Sequence, residues 1–365
     1  MGLNSFQTSG NSPGHRRCRV GILGFGAVGS AIAARLLTDP PTGASLELTH
    51  ICDQRAREKR ARYEHPDANS PSHTAPIWTD RFDDLLASDI DILVEAITGP
   101  AIDYVRAALL AGKSVVTANK HVIAQQGPAL LALAERQGRQ LRFEAAVGGA
   151  MPIVRVLGEG LAGDRILKID AILNGTSNAV LSRMEDLGCT MDEAVAEACA
   201  RGYADTNPAT DLDGLDAAAK LAILCAVGFG LRVLPTQIET RTTAGISASD
   251  FREARLRGGT LRQVAHAEFD AGAGKLTAWV APIFVPGASV FGQTRGPGNA
   301  AVVTTAHAGS VVLSGIGAGG EATAVAALAD LVAIAKDRAA IVPAPTLVEP
   351  KEITGLSDNA FAEAV

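Results

Sequence analysis

The sequence predicts an α/β protein in which a parallel sheet is followed by a second sheet-bearing unit. Three observations carry this reading. A short apolar run at 20–23 meets the turn Gly24-Phe-Gly26-Ala-Val-Gly29, and residues 30–37 then place apolar side chains at helical spacing. Further apolar runs at 46–52, 91–97, 114–117 and 140–146 alternate with helical stretches, and strands alternating with helices imply a parallel order. Beyond residue 151, strand patterns at 166–173, 276–284 and 301–314 continue into another sheet. At 365 residues and 47% hydrophobic, the chain can bury a large core and has room for two domains.

Each element has a local reason. Gly24 permits a tight turn, Gly26 lets backbone amides approach a pyrophosphate, and Gly29 lets the helix pack closely on its strand, with the phosphate at the positive helix end. The strand 46–52 ends at Asp53, placed to accept hydrogen bonds from a ribose 2′-hydroxyl and so to favour NAD. Arg55 and Arg57 could instead hold the 2′-phosphate of NADP, and Asp53 could be no more than a helix N-cap. The strand 91–97 runs into Thr98-Gly-Pro100, residues 103–111 are helical in pattern, and the strand from Ser114 ends at Lys120. Ligands of parallel sheets sit at the carboxyl ends of strands, where Thr98 and Lys120 fall. Lys120 reads as an amine near a nicotinamide or as a surface loop lysine.

A helix is expected at 128–137. The strand 140–146 then leads into Val147-Gly-Gly-Ala-Met-Pro152, where the chain leaves the nucleotide unit and Pro152 opens a helix to 159. The strand 166–173 closes on the polar turn Asn174-Gly-Thr-Ser-Asn178, which is either a ligand-facing turn or a plain β-turn. Gly315-Ile-Gly-Ala-Gly-Gly320 precedes a helix at 322–335, as an anion-accepting turn or as a linker.

The stretch Asp216-Ala-Ala-Ala-Lys220 opens an alanine- and leucine-rich run. Four residues apart on a helix, the carboxylate and the ammonium point the same way, as an acid/base pair or as an ordinary surface ion pair. Beside a dinucleotide fingerprint and the isolated Lys120, the pair points to an oxidoreductase. A net charge of −6 argues against a nucleic-acid partner, and the run 55–60 is broken by Glu58. The five cysteines form no Cys-x-x-Cys pair, so the expected compartment is a reducing one, the cytoplasm. There is no apolar run of membrane-spanning length and no apolar core in residues 1–17, which read as a disordered tail without a signal peptide.

The chain resembles the homoserine dehydrogenase family. The resemblance rests on the glycine fingerprint, Thr117-Ala-Asn-Lys120, residues 144–152, Leu173-Asn-Gly-Thr-Ser-Asn178, residues 202–220 with their Asp-Leu-Asp-Gly-Leu-Asp-Ala-Ala-Ala-Lys block, and residues 315–319. It implies a Rossmann-type parallel-sheet nucleotide domain at 18–150 and a mixed-sheet α/β substrate and dimerisation domain at 151–318. A helix at 319–340 would return to the nucleotide domain, and 341–365 would form a tail. It also implies interconversion of homoserine and aspartate 4-semialdehyde with NAD or NADP, in a homodimer that needs neither membrane nor nucleic acid.

Carried over residue by residue, the resemblance implies that Lys120 and Lys220 flank the reacting carbonyl. Asn174, Gly175, Thr176, Tyr203, Asp205, Asp211 and Asp216 would surround the substrate, and Gly24, Phe25, Gly26, Ala27, Val28, Asp53, Thr98, Gly99, Lys120, Gly317 and Gly319 the cofactor. The carbonyls of Glu144, Val147, Gly149 and Met151 match a monovalent-cation (Na+) loop. Asp205 stands where the family has Glu, Asn207 where it has Asp, Ala322 where it has Pro, and Pro286-Gly-Ala-Ser-Val-Phe291 replaces a His-Pro-Leu stretch. These departures bear on substrate identity, so another small amino alcohol or aldehyde, or cofactor binding without turnover, are the alternatives. In the leading reading Lys220 protonates the oxygen that receives negative charge on reduction, Lys120 assists, and the two ammonium groups lower each other's proton affinity. Asp216 would position an amine or a bridging water.

Overall fold

The computed structural model describes residues 17–41, 45–63, 75–203, 208–337 and 346–357. β1 (Cys18–Leu23) enters the glycine turn and α1 (Ala27–Thr38) leaves it. The alternation continues through β2 (Leu46–Cys52), α2 (Ala56–Arg62), β3 (Ile77–Thr79), α3 (Phe82–Ala87), β4 (Ile92–Glu95), α4 (Ile102–Leu110), β5 (Ser114–Thr117), α5 (Lys120–Arg136) and β6 (Leu141–Arg142). All pairings are parallel, in the order β3-β2-β1-β4-β5-β6. The chain leaves β1 toward one edge and later returns to β4 on the other side, so the connections diverge and open a crevice at the strands' carboxyl ends. The central strands are apolar throughout because both faces are covered: Val20, Ile22, Val94 and Val116 are buried.

After α6 (Ile153–Arg155) come β7 (Ile166–Ile172), α7 (Gly175–Leu187), α8 (Met191–Ala200), α9 (Ala209–Leu212), α10 (Leu215–Phe229), β8 (Glu239–Thr240), α11 (Ala248–Leu256), β9 (Gly259–Asp270), β10 (Lys275–Pro286), α12 (Val290–Gln293), β11 (Gly298–Thr305) and β12 (Ser310–Ile316). The second sheet runs β12-β11-β7-β9-β10-β13, with β13 at Glu352–Thr354 and β8 beside β10. Its inner pairs are antiparallel, whereas β8 and β13 join β10 in parallel, which makes the sheet mixed. α10 is apolar nearly all round and is accordingly buried, its Leu221, Ala222 and Cys225 sharing a core with Ile169 of β7 and Ala265 of β9. α13 (Gly320–Lys336) packs on the first unit, where Ala324, Leu328 and Leu331 share a core with Val20, Ile32 and Leu36.

Four local readings are corrected. The helix expected to begin at Pro128 begins at Lys120 and carries Pro128 inside it, because Asn119 caps the helix eight residues earlier. The turn expected at 174–178 is the first turn of α7, since the Asn174 side-chain oxygen accepts the Ser177 N–H at 2.7 Å. Pro152 leads only three α-helical residues before the chain widens into a π-helical turn at 156–160. The segment 341–365 contributes β13, which β10 holds through three residue pairs. Residues 1–16, and with them nearly all of the expected N-terminal tail, lie outside the described residues. Among the described residues, no helix is long and apolar enough to cross a membrane.

Candidate active site

Two helix starts build the centre of the site. Asn119 accepts the Val122 N–H at 3.3 Å and so caps α5, which makes Lys120 its first residue. Gly214, at φ +80°, turns the chain into α10, with Asp216 in the first turn and Lys220 one turn later. The Asp216 carboxylate accepts both ammonium groups: Oδ1 lies 2.8 Å from Lys120 Nζ and Oδ2 lies 2.7 Å from Lys220 Nζ. Lys220 also donates to the carbonyl oxygen of Leu173 at 2.8 Å. Asn174 braces the group, its Nδ2 donating to Asp216 Oδ2 at 2.8 Å and to Asp211 Oδ1 at 2.6 Å. The Asp216–Lys220 pair within α10 is thus largely buried rather than a surface ion pair, and through Lys120 the same carboxylate joins α10 to α5, so Asp216 grips both amines directly.

The charges explain the proton affinities. Burial pushes Asp216 upward, but the Lys220 and Lys120 ammonium groups outweigh it and hold the carboxyl well below the usual range. Asp211 goes the other way, raised by burial and by the negative Asp216.

A cleft of about 360 Å³ opens on both lysines, walled by 96–99, 118–121, Gly148, Gly149, Gly317 and Thr323, with Val28 at one side. A neighbouring cleft of about 420 Å³ shares Ala96, Ile97 and Thr98 and continues along Gly24, Phe25 and Gly26 to Asp53, Arg55 and Lys59. The residues fit a dinucleotide. A Cβ on Gly26 would meet nothing within 4 Å, so that face is open to a ligand, whereas one on Gly24 would meet the Ala96 carbonyl at 2.7 Å. Gly26 begins α1 without a side-chain cap, which leaves first-turn N–H groups for an anion.

The other cofactor candidates divide. The Asp53 carboxylate accepts the N–H of Phe25 at 2.8 Å, the N–H of Arg55 at 2.9 Å and Lys59 Nζ at 2.6 Å. Burial raises its pKa, but Lys59 and these N–H groups outweigh it and lower it. Phe25 lines the second cleft, and its buried ring packs edge-on against Tyr63 and Trp78. Ala27 abuts the start of α13 at Gly320, and Gly319, at φ +111°, precedes that helix.

Of the substrate candidates, Asn174, Asp211 and Asp216 meet the lysines. Gly175 is pressed against Ala318 and Pro297, where a Cβ would have neighbours at 2.8 and 2.9 Å. Thr176 donates to the carbonyl oxygen of Tyr203 at 2.7 Å. The Tyr203 ring packs with the cluster containing Val180 and Met184 and lines a separate cleft beside Arg183 and Arg201, away from the lysines. Asp205 and Asn207 lie outside the described residues.

The loop 144–151 turns through Gly148 and Gly149 at φ +85° and +61°. The carbonyl of Glu144 accepts the Val147 N–H at 3.3 Å and that of Met151 accepts the Ile153 N–H at 2.8 Å, each keeping a second lone pair. Backbone carbonyl oxygens with a lone pair to spare are the ligand type that suits a hard cation. The Glu144 carboxyl faces elsewhere, accepting the N–H groups of Val154 and Arg155, and burial followed by Asp330 raises its pKa to about 7.

Sequence reasoning missed His121, Thr323 and Glu95. His121 lines the lysine cleft, and burial followed by the Lys120 charge lowers its pKa. Its position after Lys120 was the available signal. Glu95 passes in the sequence as one more residue of the run 91–97.

Residues 152–332 match the family model described as homoserine dehydrogenase, and residues 24–144 match that of the homoserine dehydrogenase NAD binding domain. The chain belongs to the homoserine dehydrogenase family. It is 36% identical over 333 residues to homoserine dehydrogenase of Mycobacterium tuberculosis H37Rv, covering 87% of this chain and 72% of the relative. It is 37% identical over 335 residues to the Corynebacterium glutamicum homoserine dehydrogenase, again covering 87% and 72%. The crystal structure of a homoserine dehydrogenase from Thiobacillus denitrificans superposes with a TM-score of 0.84 at 31% identity, over 93% of this chain and 80% of that one. A hyperthermophilic archaeal homoserine dehydrogenase in complex with NADPH gives 0.72 at 28% identity, over 88% and 98%. As a homoserine dehydrogenase-family oxidoreductase, the chain has the expected activity, interconversion of homoserine and aspartate 4-semialdehyde with NAD(P) in threonine and methionine biosynthesis.

Proposed function

We propose that Lys220 is the general acid and base of this oxidoreduction and that Lys120 stabilises the developing oxyanion, with both held by Asp216. The observation that carries this is one carboxylate joining lysines from two domains at the edge of a single cleft. When bound, the nicotinamide supplies hydride for reduction and accepts it for oxidation. As the aldehyde carbon gains hydride, its oxygen gains negative charge, and preorganised ammonium groups stabilise it most strongly in that state. Lys220 gives its proton to the oxygen and the alcohol forms; solvent restores the ammonium. Asp211 and Asp216 place negative charge for the substrate's α-ammonium, while Asn174, Gly175 and Thr176 fix the wall beside it.

Gly24, Gly26, Val28, Thr98, Gly99 and Gly317 would line the cofactor, with Lys59 and Arg55 beside Asp53 at the ribose end. The carbonyls of Glu144, Val147, Gly149 and Met151 would hold a monovalent cation, Na+, as a brace for the loop. β12 supports a homodimer: it is an edge strand without a charged residue, and its Val312 and Ile316 are 54% and 61% exposed. None of the five cysteines is joined in a disulfide, which suits the cytoplasm.

The test is nicotinamide absorbance with homoserine, and in reverse with the semialdehyde, for K220A and K120A. Each variant is expected to lose turnover by about 10²–10⁴-fold while still binding reduced cofactor by fluorescence. Turnover at the wild-type rate would remove that lysine from the chemistry.

A further inference from the structure

Glu95 closes β4 at the middle of the parallel sheet, level with Leu23 of β1 and Thr117 of β5. It is fully buried and lines neither cleft, so whatever it does it does through its neighbours. Its Oε1 accepts the N–H of Ile97 at 3.0 Å, and its Oε2 accepts the hydroxyl of Thr117 at 2.5 Å. The Thr117 oxygen in turn accepts the N–H of Asn119 at 3.0 Å. Asn119 Nδ2 donates to the Gly99 carbonyl at 3.0 Å, and its Oδ1 caps the helix that Lys120 begins.

These bonds form a closed circuit, Glu95 to Thr117 to Asn119 to Gly99 and back along the chain to Ile97. The circuit ties together two loops, 96–99 and 117–120, and both line the cleft. Ile97 also reaches the glycine turn, for a Cβ on Gly24 would lie 2.7 Å from its side chain. A buried carboxylate is costly unless its acceptor sites are filled, so a stretch ending an apolar strand has no packing reason to carry one. The filled sites here belong to the cleft loops, which is where a carboxylate can serve.

We propose that Glu95 is a positioning residue for the reaction, setting the start of α5 and hence the Lys120 ammonium against the cofactor wall at 96–99. This rests on Lys120 acting at the reacting oxygen. Small displacements of a reacting group reduce turnover steeply, because the reaction depends on near-attack geometry.

Three variants of the full chain test it: E95L removes both acceptors, E95Q keeps an acceptor for Ile97 and a partner for Thr117, and T117V removes the hydroxyl that links Glu95 to the Asn119 N–H while leaving the Glu95–Ile97 bond. T117V keeps the shape of a strand residue, so it remains informative if E95L fails to fold. With both substrates saturating, kcat is expected to fall about 10–100-fold in E95L and T117V, and E95Q to recover most of the loss. In T117V the KM for cofactor stays within about threefold, because the Glu95–Ile97 branch is intact, a split that general loosening of the fold would not produce. The double variant E95L/T117V should be no slower than the slower single one, as expected of one coupled circuit. Wild-type kcat in E95L or T117V beside an impaired K120A would overturn the proposal, as would a double variant that multiplies the two losses. An unimpaired K120A would overturn it together with the reading on which it rests.

Discussion

Asp216 carries one negative charge between two positive ones, and its hydrogen bonds leave it little freedom to release either. Replacing it by Asn keeps the shape and leaves two ammonium groups near each other without their shared counter-ion. Both lysines retain some solvent, so D216N is expected to lose about 2–4 kcal/mol, somewhat below the range for a fully buried broken pair, together with most of its turnover. Urea unfolding measures the first; a midpoint equal to wild type would show that the lysines are solvated independently of Asp216. The sign of the pH dependence follows from the lowered pKa: the carboxylate's contribution is complete above the ordinary value of about 4 and is lost as pH falls through the lower folded-state value. The gap between wild type and D216N should therefore narrow only in strong acid. Much of this centre was readable because isolated charges in apolar runs are conspicuous, as Lys120 and Lys220 are. That α5 would deliver Lys120 to Asp216 is a tertiary fact with no local signal. Glu95 was hidden for the same reason, its hydroxyl partner Thr117 lying on the neighbouring strand.

β1, α1, β2, β4, α4 and β5 of the first unit were legible because buried parallel strands are continuous apolar runs punctuated by glycine, whereas the short β3 and α3 went unread and the strand expected at 140–146 is only β6 at Leu141–Arg142. Residues 174–178 misled because Asn-Gly marks a turn by itself, and only the capping bond of Asn174 shows that a helix starts there. α8 went unread although its capping box was present in the sequence: Thr190 accepts the Glu193 N–H and Glu193 accepts the Thr190 N–H. β13 had no chance of being read, since three residues paired to one edge have no period of their own. The junction of β1 and α1 offers a test at this scale. A Cβ on Gly29 would sit 2.0 Å from the Gly24 carbonyl oxygen, and backbone cannot yield as a side chain can. G29A should push α1 off the turn, lose about 1–3 kcal/mol and weaken cofactor binding in a fluorescence titration. Wild-type affinity and melting temperature would show that the helix shifts without disturbing the phosphate site.

At the scale of the molecule, the strand order and the mixed second sheet place one of the two proposed catalytic lysines on each unit, an arrangement that two-unit α/β reasoning anticipated only in outline. The outer edge of β12 gives the assembly prediction. Replacing Val312 and Ile316 by Lys puts two charges on that apolar edge, and under the proposed homodimer sedimentation should show the parent at twice the chain mass and the double variant at the mass of one chain. A variant sedimenting with the parent's mass would move the interface elsewhere. The helix that closes the first unit has a consequence for birth of the chain as well. α13 is translated long after the strands it covers, so a nascent chain leaves the ribosome with Ile32 and Leu36 still uncovered. At about 5–20 residues per second the stretch from Leu36 to the end of α13 takes roughly 15–60 s to make, an interval in which that greasy surface stands open to other chains.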